Sequence, residues 1–165
     1  MIRIATVNDF QRINQLFIQM IQHVNEENKK AGLKVDEELF KNGYEEGYLE
    51  NFINNPERYI YVYENDNGNV LGYISCVICN NNDLTFTYLD DFCVDLNCRG
   101  NGIGKMLLSE VFSGLDDSEL IRLHVESNNS KALDFYKRIG FQPIEETNNR
   151  ILMQKVNQKE KSINL

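Results

Sequence analysis

The feature that most narrows the fold of this chain is a glycine-rich turn, Arg99-Gly100-Asn101-Gly102-Ile103-Gly104, set between a strand-like run and a helix-like run. Leu84 to Val94 is rich in residues that favour a strand. Gly102 to Phe112 carries Ile103, Leu107, Leu108 and Val111 on one side of a helix. The first turn of a helix leaves about four N–H groups without intrahelical partners. The helix dipole adds about half a positive charge there. Glycines at 100, 102 and 104 let backbone approach an anion without a Cβ in the way. Arg99 adds a permanently charged fork suited to phosphate oxygens. Together these describe a pyrophosphate cradle. Glycine-rich turns of this kind also serve packing alone, so the spelling by itself leaves both readings open. There is no G-x-x-x-x-G-K-[ST] run, which excludes a P-loop, and Gly100-x-Gly102-x-Gly104 is not G-x-G-x-x-G.

Around this turn the chain reads as alternating elements. Ile2 to Ala5 predicts a short strand, and Asn8 or Asp9 is placed to cap the helix that follows. Phe10, Ile13, Phe17, Met20 and Val24 form that helix's apolar face. Asn25 to Lys34 is polar, contains Gly32 and predicts a loop. A second helix is expected over Asp36 to Ile53, weakened at Gly43 and Gly47. Tyr59 to Tyr63, the turn Asp66-Asn67-Gly68 and Val70 to Cys79 predict a hairpin. A turn over Asn80 to Asp83 leads into Leu84 to Val94. Beyond the glycine turn, Leu120 to Val125 predicts a strand and Ser130 to Ile139 a helix ended by Gly140. Phe141 to Glu145 and Arg150 to Val156 predict the last strands. The expected class is α/β, a mixed and mostly antiparallel sheet with helices on both faces. One domain spans 1–156, and a polar tail, 157–165, is expected to fray.

Composition excludes several function classes. The 165 residues suit one domain with one ordinary core, and 42% apolar content is globular. The net charge of −8 argues against nucleic acid or an anionic membrane as partner. It would concentrate a cationic substrate, or simply aid solubility. No apolar run is long enough to span a membrane. Met1-Ile2-Arg3-Ile4 lacks the marks of a signal peptide, so a cytoplasmic setting is expected. Cys76, Cys79, Cys93 and Cys98 are then expected as free thiols. Cys76-x-x-Cys79 lies in a strand, where its spacing sends the side chains to opposite faces, so no metal site is expected. The Tyr59/Tyr61/Tyr63 stripe reads as packing.

Leu89-Asp90-Asp91-Phe92-Cys93-Val94 followed by Arg99-x-x-Gly102-x-Gly104 resembles the strand and cofactor loop of the GNAT superfamily of N-acetyltransferases. Leu123-His124-Val125, then Asn129-x-x-Ala132-x-x-x-Tyr136-x-x-x-Gly140-Phe141, is similar to that superfamily's second motif, in the same order. The resemblance covers residues 84 to 145; before that only the element order agrees. It implies acetyl-CoA as co-substrate. Phe92, Cys93 and Val94 would lie beside the pantetheine arm, pairing with its amides like an added strand. The Val94 N–H would face the thioester carbonyl. Arg99, Gly100, Asn101, Gly102, Ile103, Gly104 and Lys105 would hold the pyrophosphate. Asn129 would touch the cofactor arm where two central strands splay, and Tyr136 would sit near the thioester sulfur.

The implied chemistry is attack of an amine on a thioester. Charge builds on the carbonyl oxygen, and one fixed N–H aimed there is worth about 3–4 kcal/mol. The leaving thiolate needs a proton, which a Tyr hydroxyl can give. An alkyl ammonium, of pKa near 10, must lose a proton before it attacks. Strand alternation would put Tyr88, Asp90, Phe92 and Val94 on one face and Asp91, Cys93 and Asp95 on the other. Asp90 stands where the diamine acetyltransferase branch carries a Glu base, and His124 where some N-terminal acetyltransferases carry a catalytic residue. Asp90 and His124 are the leading candidate bases, with Glu126 and Asp91 behind them. The bland readings are a core aromatic for Tyr136, a sheet histidine for His124, and a solvated or structural Asp90-Asp91 pair. The acceptor expected is a small cationic amine, the alternatives being a peptide α-amine or lysine, or a non-catalytic CoA-binding module. A homodimer is compatible with the superfamily.

Overall fold

Strand-forming and helix-forming runs assemble into one seven-stranded sheet covered on both faces. The structure is a computed structural model, and it describes residues 1–38, 40–81, 84–116 and 119–158. The strands are β1 (Ile2–Ile4), β2 (Arg58–Glu64), β3 (Val70–Asn81), β4 (Leu84–Val94), β5 (Leu120–Glu126), β6 (Gln142–Thr147) and β7 (Arg150–Val156). The helices are α1 (Phe10–Lys30), α2 (Tyr48–Ile53), α3 (Ile103–Gly114) and α4 (Ser130–Arg138). Strand order is β1-β2-β3-β4-β5-β7-β6. Neighbouring strands are antiparallel except β4 and β5, which are parallel and joined through α3. This is the mixed α/β architecture expected.

Each face of the sheet has its own core. Leu107, Leu108 and Val111 of α3 bury against Ile74, Leu89, Ile121, Leu123 and Met153, with Tyr136 of α4 packed alongside. On the other face Ile13, Leu16 and Phe17 of α1 and Leu49 and Phe52 of α2 bury against Ile60, Val62, Tyr73 and Cys93. Burying one such side chain contributes roughly 1.5–3 kcal/mol. Arg12 of α1 pairs with Asp95 and donates to the Val70 carbonyl at 2.9 Å, fixing that helix over the end of β4.

Several expectations are corrected. α1 continues through Asn25 to Lys30, because nothing before Gly32 breaks it; Lys30 pairs with Glu27 one turn back at 2.8 Å, and Gly32 turns left-handed at φ 73°. The helix expected from Asp36 shrinks to α2, because Gly43 and Gly47 adopt φ 83° and 76°. Asp9 does not cap α1. Its carboxylate accepts from the Thr6 N–H at 2.7 Å and pairs with Arg3 at 2.8 Å. β3 runs on to Asn81, and residues 82 and 83 of the expected turn lie outside the described residues.

The polar tail begins differently from the expectation. Asn157 is buried, and its amide donates to the carbonyls of Phe112, Leu115 and Asp116 at 3.1–3.2 Å. These are carbonyls at and just after the end of α3, where a helix leaves acceptors unpaired. The frayed segment expected beyond it falls on residues 159–165, outside the described residues. Among the described residues no helix is long and apolar enough to cross a membrane. Replacing Asn157 by Ala strands these buried carbonyls and is expected to lower stability by about 1–3 kcal/mol. Urea unfolding should show a lower midpoint at unchanged slope.

Candidate active site

The two central strands part company halfway along. β4 and β5 pair at Phe86↔Leu120, Thr87↔Ile121 and Tyr88↔Arg122, and the pairing stops there. β5 goes on pairing with β7 as far as Glu126, and β4 goes on pairing with β3 as far as Val94. A cleft therefore opens between β4 and β5. The Asp95 N–H donates to the Leu71 carbonyl at 2.9 Å. Antiparallel alternation then aims the N–H groups of Phe92 and Val94 away from β3, into the cleft. An extended ligand carrying amides can pair with such an edge.

A bulge shapes this stretch. Leu89 pairs with Cys76 and Phe92 with Ile74, so Asp90 and Asp91 together oppose Ser75. The Ser75 hydroxyl accepts from the Asp91 N–H at 2.9 Å, filling the gap in the ladder. The extra residue corrects the expected alternation, because one inserted residue reverses every later side chain. Leu89, Phe92 and Val94 pack on the α3/α4 face. Asp90 and Asp91 turn instead to the α1/α2 face, toward Tyr48 and Tyr44, and Cys93 is buried on that face.

Next along the chain is the glycine turn. Gly100 and Gly102 hold φ 83° and 79°, conformations that favour glycine, and a Cβ on either would meet open space. Backbone is thus bare at the start of α3, as an anion site requires. Gly104 has a packing reason as well: a Cβ there would lie 3.1 Å from the Phe92 ring. Ile103 buries its side chain in the core, leaving only its backbone to the turn. Asn101 donates to the Cys98 carbonyl at 3.2 Å, and Arg99 to the Val94 carbonyl at 3.3 Å. Arg99 and Lys105 are exposed.

Tyr136 of α4 packs on the α3/α4 face, near Cys93 and Tyr88 of β4. Its ring packs edge-on against Phe135 and Phe141, with centroids 5.4 and 5.7 Å away. Past its end the helix closes through Gly140 at φ 96°, with Gly140 N–H to Lys137 O and Phe141 N–H to Tyr136 O. That closure fixes the turn bearing Tyr136. Burial pushes its hydroxyl well above the ordinary tyrosine range, with the nearby Cys93 and Tyr88 adding to this, so it stays protonated. Asn129 caps α4, accepting from the Ala132 N–H at 3.1 Å. It also lines a cavity of about 90 Å³ with His23, Glu27 and Glu126.

The opposite side of the cleft is acidic and aromatic. His124 Nδ1 lies 2.8 Å from the Tyr88 hydroxyl, joining β5 to β4 where their ladder ends. Desolvation and Arg150 lower the His124 pKa, so the imidazole is neutral at pH 7. Desolvation raises Asp90, against the pull of Arg58, Tyr48 and Arg150. Asp91 is pushed up to about 6 by desolvation, with Tyr44 lowering and Asp90 raising it. Tyr44, Tyr48, Tyr73 and Ser75 were not singled out from sequence. The available signal was the pair of glycines, Gly43 and Gly47, just before Tyr44 and Tyr48. All four cysteines are free, and desolvation lifts the Cys76 and Cys93 thiols to about 12.

Asp90, His124, Phe92, Cys93, Val94, Tyr136 and the glycine turn thus gather along one cleft, with Asn129 at the head of α4. The chain matches the family model described as acetyltransferase (GNAT) family over residues 20–141. No curated protein sequence matches it. Among solved structures, a mutant of the BH1408 protein from Bacillus halodurans is 22% identical, with 89% of this chain and 96% of that one covered, at TM-score 0.76. The PaiA N-acetyltransferase of Thermoplasma acidophilum, solved with coenzyme A, is 22% identical over 94% of this chain and 98% of that one, at TM-score 0.73. NAA60 of Arabidopsis thaliana, solved with a bisubstrate analogue, is 17% identical over 94% and 97%, at TM-score 0.65. With a family model matched across most of its length and a sheet that splits between β4 and β5 beside a glycine turn, the chain belongs to the GNAT family of acetyltransferases.

Proposed function

We propose that this acetyltransferase moves the acetyl group of acetyl-CoA to a small cationic primary amine by direct attack in a ternary complex. The observation that carries the reading is the unpaired edge of β4, which leads from the glycine turn toward Tyr136. The similar N-acetyltransferase solved with coenzyme A supports acetyl-CoA as the donor. Bare backbone at Gly100 and Gly102, the start of α3, Arg99 and Lys105 would take the pyrophosphate. The N–H groups of Phe92 and Val94 would pair with the amides of the cofactor arm and with the carbonyl oxygen, where charge builds. Tyr136, a neutral hydroxyl, would give its proton to the departing sulfur.

The acceptor enters from the α1/α2 face in this reading. Asp90 and Asp91 both turn that way, and the net charge of −8 favours a cation on approach. Asp90 and His124 are exposed beside it, where they can relay its proton to water.

Thioester consumption over a panel of amines tests the proposal, small diamines being preferred and their rates falling as salt rises. Turnover unaffected by salt, or confined to peptides, contradicts the acceptor class. Tyr136→Phe should lower kcat about 100-fold while coenzyme A affinity by calorimetry stays unchanged. An unchanged kcat removes Tyr136 from the acid role.

A further inference from the structure

The α1/α2 side of the cleft holds a hydrogen-bond chain that the reaction as described does not yet use. The Tyr44 hydroxyl donates to Asp91 Oδ2 at 2.6 Å and lies 2.8 Å from the Tyr73 hydroxyl. The Cys93 thiol lies 3.5 Å from the Tyr73 hydroxyl. An ionised carboxylate only accepts, so Tyr44 gives its proton to Asp91 and Tyr73 gives to Tyr44. The single Cys93 S–H faces both Tyr73 and, at 3.2 Å, the Met20 sulfur. Tyr73 and Cys93 are buried, so the chain leads outward only through Asp91.

The fold holds Tyr44 firmly. Its ring stacks between Phe17 and Tyr48, with centroids 4.1 and 4.8 Å away. Its N–H donates to Asn14 Oδ1 at 2.8 Å, over Gly43, where a Cβ would strike that same oxygen at 2.0 Å. On Asp91, Oδ2 is taken by Tyr44, while Oδ1 has no partner among the described residues. No buried side-chain oxygen among them lacks a partner, so Oδ1 is the oxygen that opens to solvent.

We infer that Asp91 is the first proton acceptor of the reaction, through Oδ1, and that Tyr44 is its positioning residue. The inference rests on the acetyl-transfer reading above. The ammonium N–H bond of the acceptor breaks and an O–H bond forms at Asp91 Oδ1. The electron pair stays on nitrogen and attacks the thioester carbonyl carbon. The C–S bond then breaks, the sulfur takes the Tyr136 proton, and the nitrogen, positively charged since the attack, loses its extra proton to water to leave the neutral amide. Asp91 afterwards releases its proton outward and Tyr136 regains one from solvent. Asp90, more exposed on the same bulge, holds the positive charge of the acceptor and, with His124, passes the proton on to water.

The surroundings of Asp91 fit this role. Tyr44 faces it from the loop before α2, Tyr48 from α2, Tyr73 and Ser75 from β3, and Tyr88, Asp90 and Cys93 from β4. No ion pair reaches it among the described residues. With desolvation holding it near 6, the carboxylate is empty at neutral pH yet binds a proton far better than an exposed Asp. A carboxyl that resists ionisation only in the folded chain takes stability away as pH rises from the ordinary 3.8 to about 6. Asp91→Asn should remove that loss and leave the chain more heat-stable at pH 7.

The test is the pH profile of kcat/KM with acetyl-CoA and an accepted amine. The wild type should show an acid limb near pH 6. Tyr44→Phe keeps the ring stack and removes the donor, so the limb should move up by about half a unit to one unit. Carbon NMR titration of Asp91 in the wild type and Tyr44→Phe reads the same shift without turnover. Asp91→Asn should lower kcat about 100-fold, lose the limb and keep its coenzyme A affinity. An intact limb with kcat within about threefold of wild type overturns the role of Asp91. A limb and carboxyl titration unmoved in Tyr44→Phe overturn the positioning role. If the wild type consumes no thioester with any amine, the acetyl-transfer reading fails as well.

Discussion

The site depends on one irregularity in the β4 ladder. Two residues, Asp90 and Asp91, oppose Ser75, and the Ser75 hydroxyl takes the N–H that the ladder leaves over. The extra residue turns both carboxylates to the α1/α2 face while Phe92 and Val94 stay on the α3/α4 face. It lies just past Tyr88, where β4 leaves its pairing with β5. Bulges bend and twist the strand that carries them. The split, the free N–H edge and the acidic face therefore share one local cause.

The rest of the molecule holds these parts in register. α1 is fixed over β4 by Arg12 and Asp95. The loop from Gly43 to Gly47, pinned to α1 by Asn14, brings Tyr44 and Tyr48 onto the bulge. On the other face Gly104 lets α3 close against Phe92, so the glycine turn and the strand edge stay side by side. Gly72 does the same for β3. A Cβ there would meet the Cys93 carbonyl at 2.9 Å and the side chains of Ile103 and Leu107 at 3.3 Å.

Much of this was legible in the sequence. Element order, the glycine turn and the ordered motifs led to the fold and to the family, because each rests on local pattern or on spacing. The face assignments were not legible. Period-two counting along Tyr88, Asp90, Phe92 and Val94 assumes an unbroken ladder, and the bulge is a matter between strands. Tyr44 was hidden for a similar reason. Gly43 and Gly47 read as weak points in a helix, whereas tertiary contacts with Asn14 make them turns. Asn157 looked like the start of a tail because its three carbonyl partners lie more than 40 residues back.

The central claim is that the open edge of β4 takes the cofactor arm as an added strand. Residue-resolved amide hydrogen exchange with and without coenzyme A tests it most directly. The N–H groups of Phe92 and Val94 should become protected on binding. Those of Asp91 and Cys93, already directed to β3, should change little. Coenzyme A binding that leaves Phe92 and Val94 exchanging as before would contradict the account.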